Sequence, residues 1–174
     1  HKRIAGFFKA DDMQGIERHK GYVKALQEAG LPYDPENVVW YHTEDRKMKP
    51  AIMLRLMEKG GRLPDGIVCY NDQIAAMLME ELGRLGYSVP EDVSVTGFDD
   101  SLYAQRGDGI TTVAHPQEKL GEMAAELLLE KINGIPKEKS RIPELIQPKL
   151  IVRGSCRDRS VPEKRTAAAA ASGN

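Results

Sequence analysis

The chain has 174 residues, 25 Lys and Arg against 26 Asp and Glu, a formal net charge of −1, and 41% hydrophobic with 6% aromatic residues. This is the composition of one globular unit, able to bury roughly 70% of the surface its unfolded chain exposes. The balanced charge excludes a chain that grips nucleic acid by itself, because phosphate binding needs a local excess of Lys and Arg, and no run approaches the ~20 apolar residues of a membrane span.

Ile4 to Phe8 is short, continuous and apolar, as a buried strand requires. Gln14 to Ala29 follows as a helix with Ile16, His19, Val23 and Leu26 near one face, stopped by Gly30. Val38 to Tyr41 reads as a second strand and Ala51 to Lys59 as a helix ending at Gly60-Gly61. Ile67 to Tyr70 is the third strand. Asp72 is expected to cap the next helix, Gln73 to Leu85, with Ile74, Met77, Leu78 and Leu82 inward and Gly86 as its stop. Val93 to Gly97 is the fourth strand. After an irregular stretch, Ile110 to Val113 is extended and Gln117 to Asn133 is a long helix carrying Leu120, Met123, Ala124, Leu127, Leu128 and Ile132 on one broad face. Leu145-Ile146 and Leu150 to Val152 are the last strand candidates, and the tail from Arg157 has no apolar periodicity and is expected to be disordered or weakly helical. Strands about thirty residues apart with a helix between each pair predict an α/β fold, a parallel sheet with helices on both faces.

In such a sheet ligands bind beyond the carboxyl ends of the strands. Those ends are polar: Lys9-Ala10-Asp11-Asp12, His42-Thr43-Glu44-Asp45, Asn71-Asp72 and Phe98-Asp99-Asp100, with Tyr41, Tyr70 and Phe98 as stacking surfaces and Arg18 within reach. No glycine-rich phosphate turn is present, and the acidic groups would repel anions. Carboxylates, an amide and a guanidinium beside aromatic rings suit a neutral polyol, whose hydroxyls donate and accept and whose C–H face packs on rings. A sugar is the natural candidate.

Other readings stand beside this one. On spacing alone Asp72 and Asp99 are helix or turn caps, Arg18 a solvated helix residue and His115 a loop residue. Asp11-Asp12 and Asp99-Asp100 lack the further ligands of a cation loop. A phospho-accepting aspartate, or paired carboxylates hydrolysing a glycoside, is a further alternative that no other sequence feature supports. Cys69 and Cys156 show neither zinc-site nor disulfide-scaffold spacing, so no metal or cofactor is expected and a reducing, cytoplasmic compartment is the simplest one. The absence of an initial Met and of any lead-in to the first strand suggests a fragment of a longer protein.

Four segments sharpen the reading. Arg18-His19-Lys20-Gly21-Tyr22-Val23-Lys24-Ala25-Leu26, Tyr70-Asn71-Asp72-Gln73-Ile74-Ala75, Pro90-Glu91-Asp92-Val93-Ser94-Val95-Thr96-Gly97-Phe98-Asp99-Asp100 and Ile110-Thr111-Thr112-Val113 resemble the corresponding motifs of the LacI/GalR family of sugar-responsive repressors. Lys9 to Gly15 is further similar to the arabinose-responsive branch, which joins a GntR-type winged helix-turn-helix to a LacI-type effector module. The resemblance implies a periplasmic-binding-protein-like C-terminal subdomain (1–112 and 149–157), a crossing strand and helix (113–148) of an incomplete N-terminal subdomain, and a tail at 158–174. It also implies a repressor module that binds a sugar between subdomains, contacts DNA only through a missing N-terminal head, and forms a homodimer. Arg18, Asn71 and Asp99 match the family's sugar contacts, with His115 at the polar position after the crossing strand. Lys9, Asp11, Gln14 and Glu44 carry over from their places on the rim. Without the missing half, the Gln117–Asn133 helix is expected to expose its apolar face. A sugar-transport binding protein, and an enzyme using Asp99 or Asp11 as base, are the alternatives.

Overall fold

Phe7 and Phe8 are both fully buried, on opposite sides of one sheet. In the computed structural model, which describes residues 1–135 and 146–160, strands β1 (Ile4–Lys9), β2 (Val38–Tyr41), β3 (Gly66–Cys69) and β4 (Ser94–Thr96) form a parallel sheet in the order β2-β1-β3-β4. Side chains alternate across a strand, so successive residues of β1 feed two cores. Phe7 packs with Tyr41, Ile67 and Cys69 and with residues of the helices α2 (Lys49–Lys59) and α3 (Asp72–Arg84), namely Leu54, Met57, Ile74, Leu78 and Leu82. Phe8 packs on the other face with Tyr22 and Leu26 of helix α1 (Met13–Glu28), flanked by Trp40 and Val68. The expected doubly covered parallel sheet is what forms, with element limits shifted by at most two residues.

Several local expectations change. Asn71, not Asp72, caps α3: its side chain accepts from the Ile74 N–H at 3.1 Å. Asp72 is the first helical residue and turns inward, fully buried. On α1 the buried face is Gly15, Tyr22 and Leu26, while Ile16 is exposed. The reason is Gly15: a Cβ there would lie 1.8 Å from the Lys9 carbonyl oxygen, so the helix backbone rests directly on the end of β1. Ile16, one position on, is thereby rotated towards solvent. Between α2 and α3, Arg55 Nη2 donates to Glu81 Oε2 at 2.9 Å, and the carboxylate is 3% exposed.

Beyond β4 the chain loops out and returns beside it, where Thr96 and Thr111 form a parallel bridge. Strand β5 (Thr112–Ala114) pairs antiparallel with β6 (Lys149–Ile151). The segment after β6 returns to the sheet, where Ser155 Oγ donates to the Val95 carbonyl at 2.6 Å and accepts from the Thr111 N–H at 2.8 Å. Of the expected Leu145-Ile146 strand, Leu145 lies outside the described residues and Ile146 is in no strand; the tail at 161–174 is likewise outside. Helix α4 (Gln117–Ile132) buries no residue, and Leu128 and Ile132 are 59% and 70% exposed. The apolar face expected on this helix is therefore open. Among the described residues no helix is long and apolar enough to cross a membrane.

Candidate functional site

The strand order reverses between β1 and β3: α1 leaves β1 towards one face and α3 leaves β3 towards the other. A crevice opens at such a switch point because the two following helices diverge. Here it is a cleft of about 730 Å³ lined by Gln14, Glu17, Arg18, Tyr70, Asn71, Phe98, Asp99 and His115.

Arg18 sits at its centre, one turn into α1. Its guanidinium lies between two rings, 3.8 Å from the Phe98 centroid and 4.4 Å from that of Tyr70. It donates to the Tyr70 carbonyl and, at 3.3 Å, to Asp99 Oδ1. Stacking on two faces and bonding at the edge leave the cation little freedom, and a planar guanidinium is the side chain that tolerates this. Asp99 is in the left-handed region at φ 100°, a conformation costly for a non-glycine residue, with its N–H donating to the Val113 carbonyl at 2.9 Å. Backbone held in this way aims its carboxylate at Arg18 rather than along the turn. Asp100, also left-handed at φ 51°, pairs instead with Arg153 at 2.6 Å.

Asn71 has one amide oxygen engaged as the cap of α3, so what it presents to the cleft is chiefly its N–H donors. The His115 ring lies 6.1 Å from Phe98, and its Nδ1 is buried with no partner among the described residues. The lining thus holds two carboxylates, one guanidinium, two amides and an imidazole against aromatic walls, a set that matches hydroxyls better than an anion.

Of the residues proposed from the sequence, Arg18, Asn71, Asp99, His115 and Gln14 line this one cleft. Lys9, Asp11 and Glu44 do not. Lys9 lies across Tyr70 in a second cavity and pairs with Asp12 at 3.1 Å and Asp11 at 3.8 Å. Asp11 accepts the Thr43 hydroxyl at 2.7 Å and its N–H at 3.1 Å, bonds that hold its carboxyl below the usual range. Glu44 is exposed on the turn after β2. Glu17 escaped the sequence reading; its position three residues after Gln14, on the same helical face, was the signal available. Tyr70 is also more than a stacking surface. Its hydroxyl donates to Asp12 Oδ2 at 2.6 Å, and burial together with that carboxylate pushes the phenol up to about 12. Burial opposes ionisation of Asp12, but bonds from Tyr70, the Gly15 N–H and Lys9 outweigh it and keep the carboxyl below its usual range. Among the described residues no group of three or more His, Cys, Asp or Glu is arranged to hold a metal ion.

Residues 1–156 match the periplasmic binding protein-like domain family. The chain belongs to that family. This periplasmic binding protein-like chain is 39% identical over 162 residues to an arabinose metabolism transcriptional repressor of Geobacillus stearothermophilus, covering 91% of this chain and 44% of the relative. It is 38% identical to the repressor of the same name from Halalkalibacterium halodurans, covering 89% and 43%. The chain therefore spans less than half the length of these relatives. Among solved structures it is similar to the transcriptional regulator CelR in complex with cellobiose (TM-score 0.76, 32% identity, 89% of this chain and 47% of that one). A LacI-family sugar-binding transcriptional regulator from Escherichia coli complexed with phosphate is also similar (TM-score 0.78, 27% identity, 89% and 55%). Each of these relatives bears the name of a transcriptional regulator.

Proposed function

We propose that the chain is the effector-sensing module of a bacterial transcriptional repressor and that its effector is a sugar, L-arabinose first among the candidates. The observation that carries this reading is the Arg18–Asp99 pair at 3.3 Å, held between Phe98 and Tyr70 in a cleft that also gathers Gln14, Asn71 and His115. Arg18 donates to the ring oxygen and an adjacent hydroxyl, Asp99 accepts from two hydroxyls, and the Asn71 amide donates to another. The phenyl face of Phe98 supports the apolar side of the ring. The two arabinose repressors at 39% and 38% identity favour that sugar over others.

In this reading the sugar binds one arrangement of two subdomains better than another and shifts their populations, and with them DNA binding by a head outside this chain. The protein acts in the cytoplasm as a homodimer. Thermal melts with excess L-arabinose, D-xylose, D-galactose and D-ribose test the proposal. An effector at about a hundred times its dissociation constant stabilises the folded state by about 2.7 kcal/mol. A cooperative melt that no sugar moves contradicts it.

A further inference from the structure

Tyr70 stands between two cavities. On one side is the cleft; on the other is a cavity of about 200 Å³ lined by Lys9, Tyr41, Arg46, Gln73 and Ile74, and Tyr70 and Asn71 line both. The ring is fixed at three points. Its face carries the Arg18 guanidinium at 4.4 Å, Tyr41 meets it edge-on at 6.4 Å, and its hydroxyl is bonded to Asp12 at 2.6 Å. Asp12 is itself immobile, because its other oxygen caps α1 through the Gly15 N–H at 2.7 Å and Lys9 approaches it at 3.1 Å. A ring so held acts as a wall and not as a movable side chain. The space it closes off is chemically suited to more saccharide. It has donors in Lys9 and Gln73, and the Arg46 Nε, buried without a partner among the described residues.

We propose that Tyr70 is a specificity-determining partition that ends the sugar site at α1 and β3 and excludes saccharides extending towards Arg46. The proposal rests on the sugar reading above. A ligand in the cleft has its β1 side limited by the Tyr70 ring, so a second sugar unit projecting there meets that ring, and the ring cannot rotate away without breaking the Asp12 bond and leaving Arg18 stacked on one side only.

The test is calorimetric titration of the protein and its Tyr70→Leu, Tyr70→Ala and Tyr70→Phe variants with L-arabinose and with the disaccharides cellobiose and maltose, each variant first checked for a cooperative melt. The quantity read is the ratio of disaccharide to monosaccharide affinity. Tyr70→Leu and Tyr70→Ala are expected to raise it at least tenfold by joining the cavities, and either variant suffices if the other fails to fold. Tyr70→Phe, which keeps the ring against Arg18 and Tyr41 but releases it from Asp12, is expected to raise the ratio by less than either shortened variant. An unchanged ratio in the shortened variants, with L-arabinose still bound by the unmodified protein, overturns the partition alone. A ratio raised as far by Tyr70→Phe as by Tyr70→Ala overturns it too. Binding of none of the saccharides by the unmodified protein overturns the sugar reading and the partition together.

Discussion

Asp72 Oδ1 accepts the Thr112 hydroxyl at 2.6 Å, with both side chains fully buried. Its second oxygen takes the Ser101 N–H at 2.7 Å, and its own N–H donates to the Phe98 carbonyl at 3.0 Å. One carboxylate thus ties the first turn of α3 to both sides of the 98–101 turn and to β5. This is the turn that aims Asp99 into the cleft. Gly97 completes the arrangement, since a Cβ there would lie 2.2 Å from Asp72 Oδ1.

Removing that buckle is therefore expected to destabilise the protein. Asp72→Ala leaves the Thr112 hydroxyl and the Ser101 N–H buried without acceptors, at a cost of about 3 kcal/mol. Thr112→Val removes one donor to Asp72 and the weak 3.4 Å acceptor of the Asp100 N–H, and costs about 1 kcal/mol less than that. Urea unfolding of both variants checks the ordering; equal and small effects would mean that water satisfies these groups.

Sugar affinity is expected to follow Arg18 and Asp99. Asp99→Asn keeps the size and the tolerance for positive φ but halves the accepting capacity, and affinity falls about ten- to a hundredfold with the fold intact. Arg18→Lys keeps the charge and loses the plane stacked between Phe98 and Tyr70, with a loss of at least about tenfold. Titration calorimetry reads both, and near- and far-ultraviolet circular dichroism spectra that match the parent protein separate binding from folding.

How much of this was legible in the sequence depends on what each residue answers to. The sheet and its helices follow from apolar periodicity, which reflects burial by a whole element, and the structure keeps all of them. Individual placements that depend on a single tertiary contact were not legible. Asn71 and Asp72 are both good caps, and only the partners at Thr112 and Ser101 decide that Asp72 turns inward. Ile16 fits an inward stripe by spacing, and only the contact of Gly15 with β1 rotates it outward. In the site, the strand ends and family motifs led to Arg18, Asn71, Asp99, His115 and Gln14. Lys9, Asp11 and Glu44 lie on the same rim, but Tyr70 and the Thr43 bond keep Lys9 and Asp11 out of the cleft. The exposed apolar face of α4 follows from its composition once no sheet covers it.

Gly15→Ala tests the contact that sets the α1 face. The added methyl meets backbone, which cannot yield as a flexible side chain would, and a loss of about 3 kcal/mol is expected. Gly21, on the same helix with nothing within 4 Å of an added Cβ, is the control: Gly21→Ala is expected to be neutral or stabilising by up to about 1 kcal/mol. Thermal denaturation of the two variants distinguishes them.

Acid sensitivity is expected to involve Glu81. The hydrogen bond from Arg55 holds its carboxyl below the ordinary value of 4.5, against the opposing effect of burial. A carboxyl depressed in the folded state contributes its stabilisation in full above the unfolded value and loses it as pH falls through the folded one. Glu81→Gln should therefore lower the melting temperature at neutral pH and narrow its difference from the parent protein as pH falls below 4.5. A difference that stays constant down the acid limb would show that the ion pair does not titrate there.

The most direct test of the sugar site is an amide chemical-shift titration of the isotopically labelled protein with L-arabinose. The account predicts saturable shifts concentrated at Arg18, Asn71, Phe98, Asp99 and His115, with the far ends of α2 and α3 unmoved. Saturable shifts centred elsewhere, or a spectrum that does not change at any sugar concentration, would contradict it.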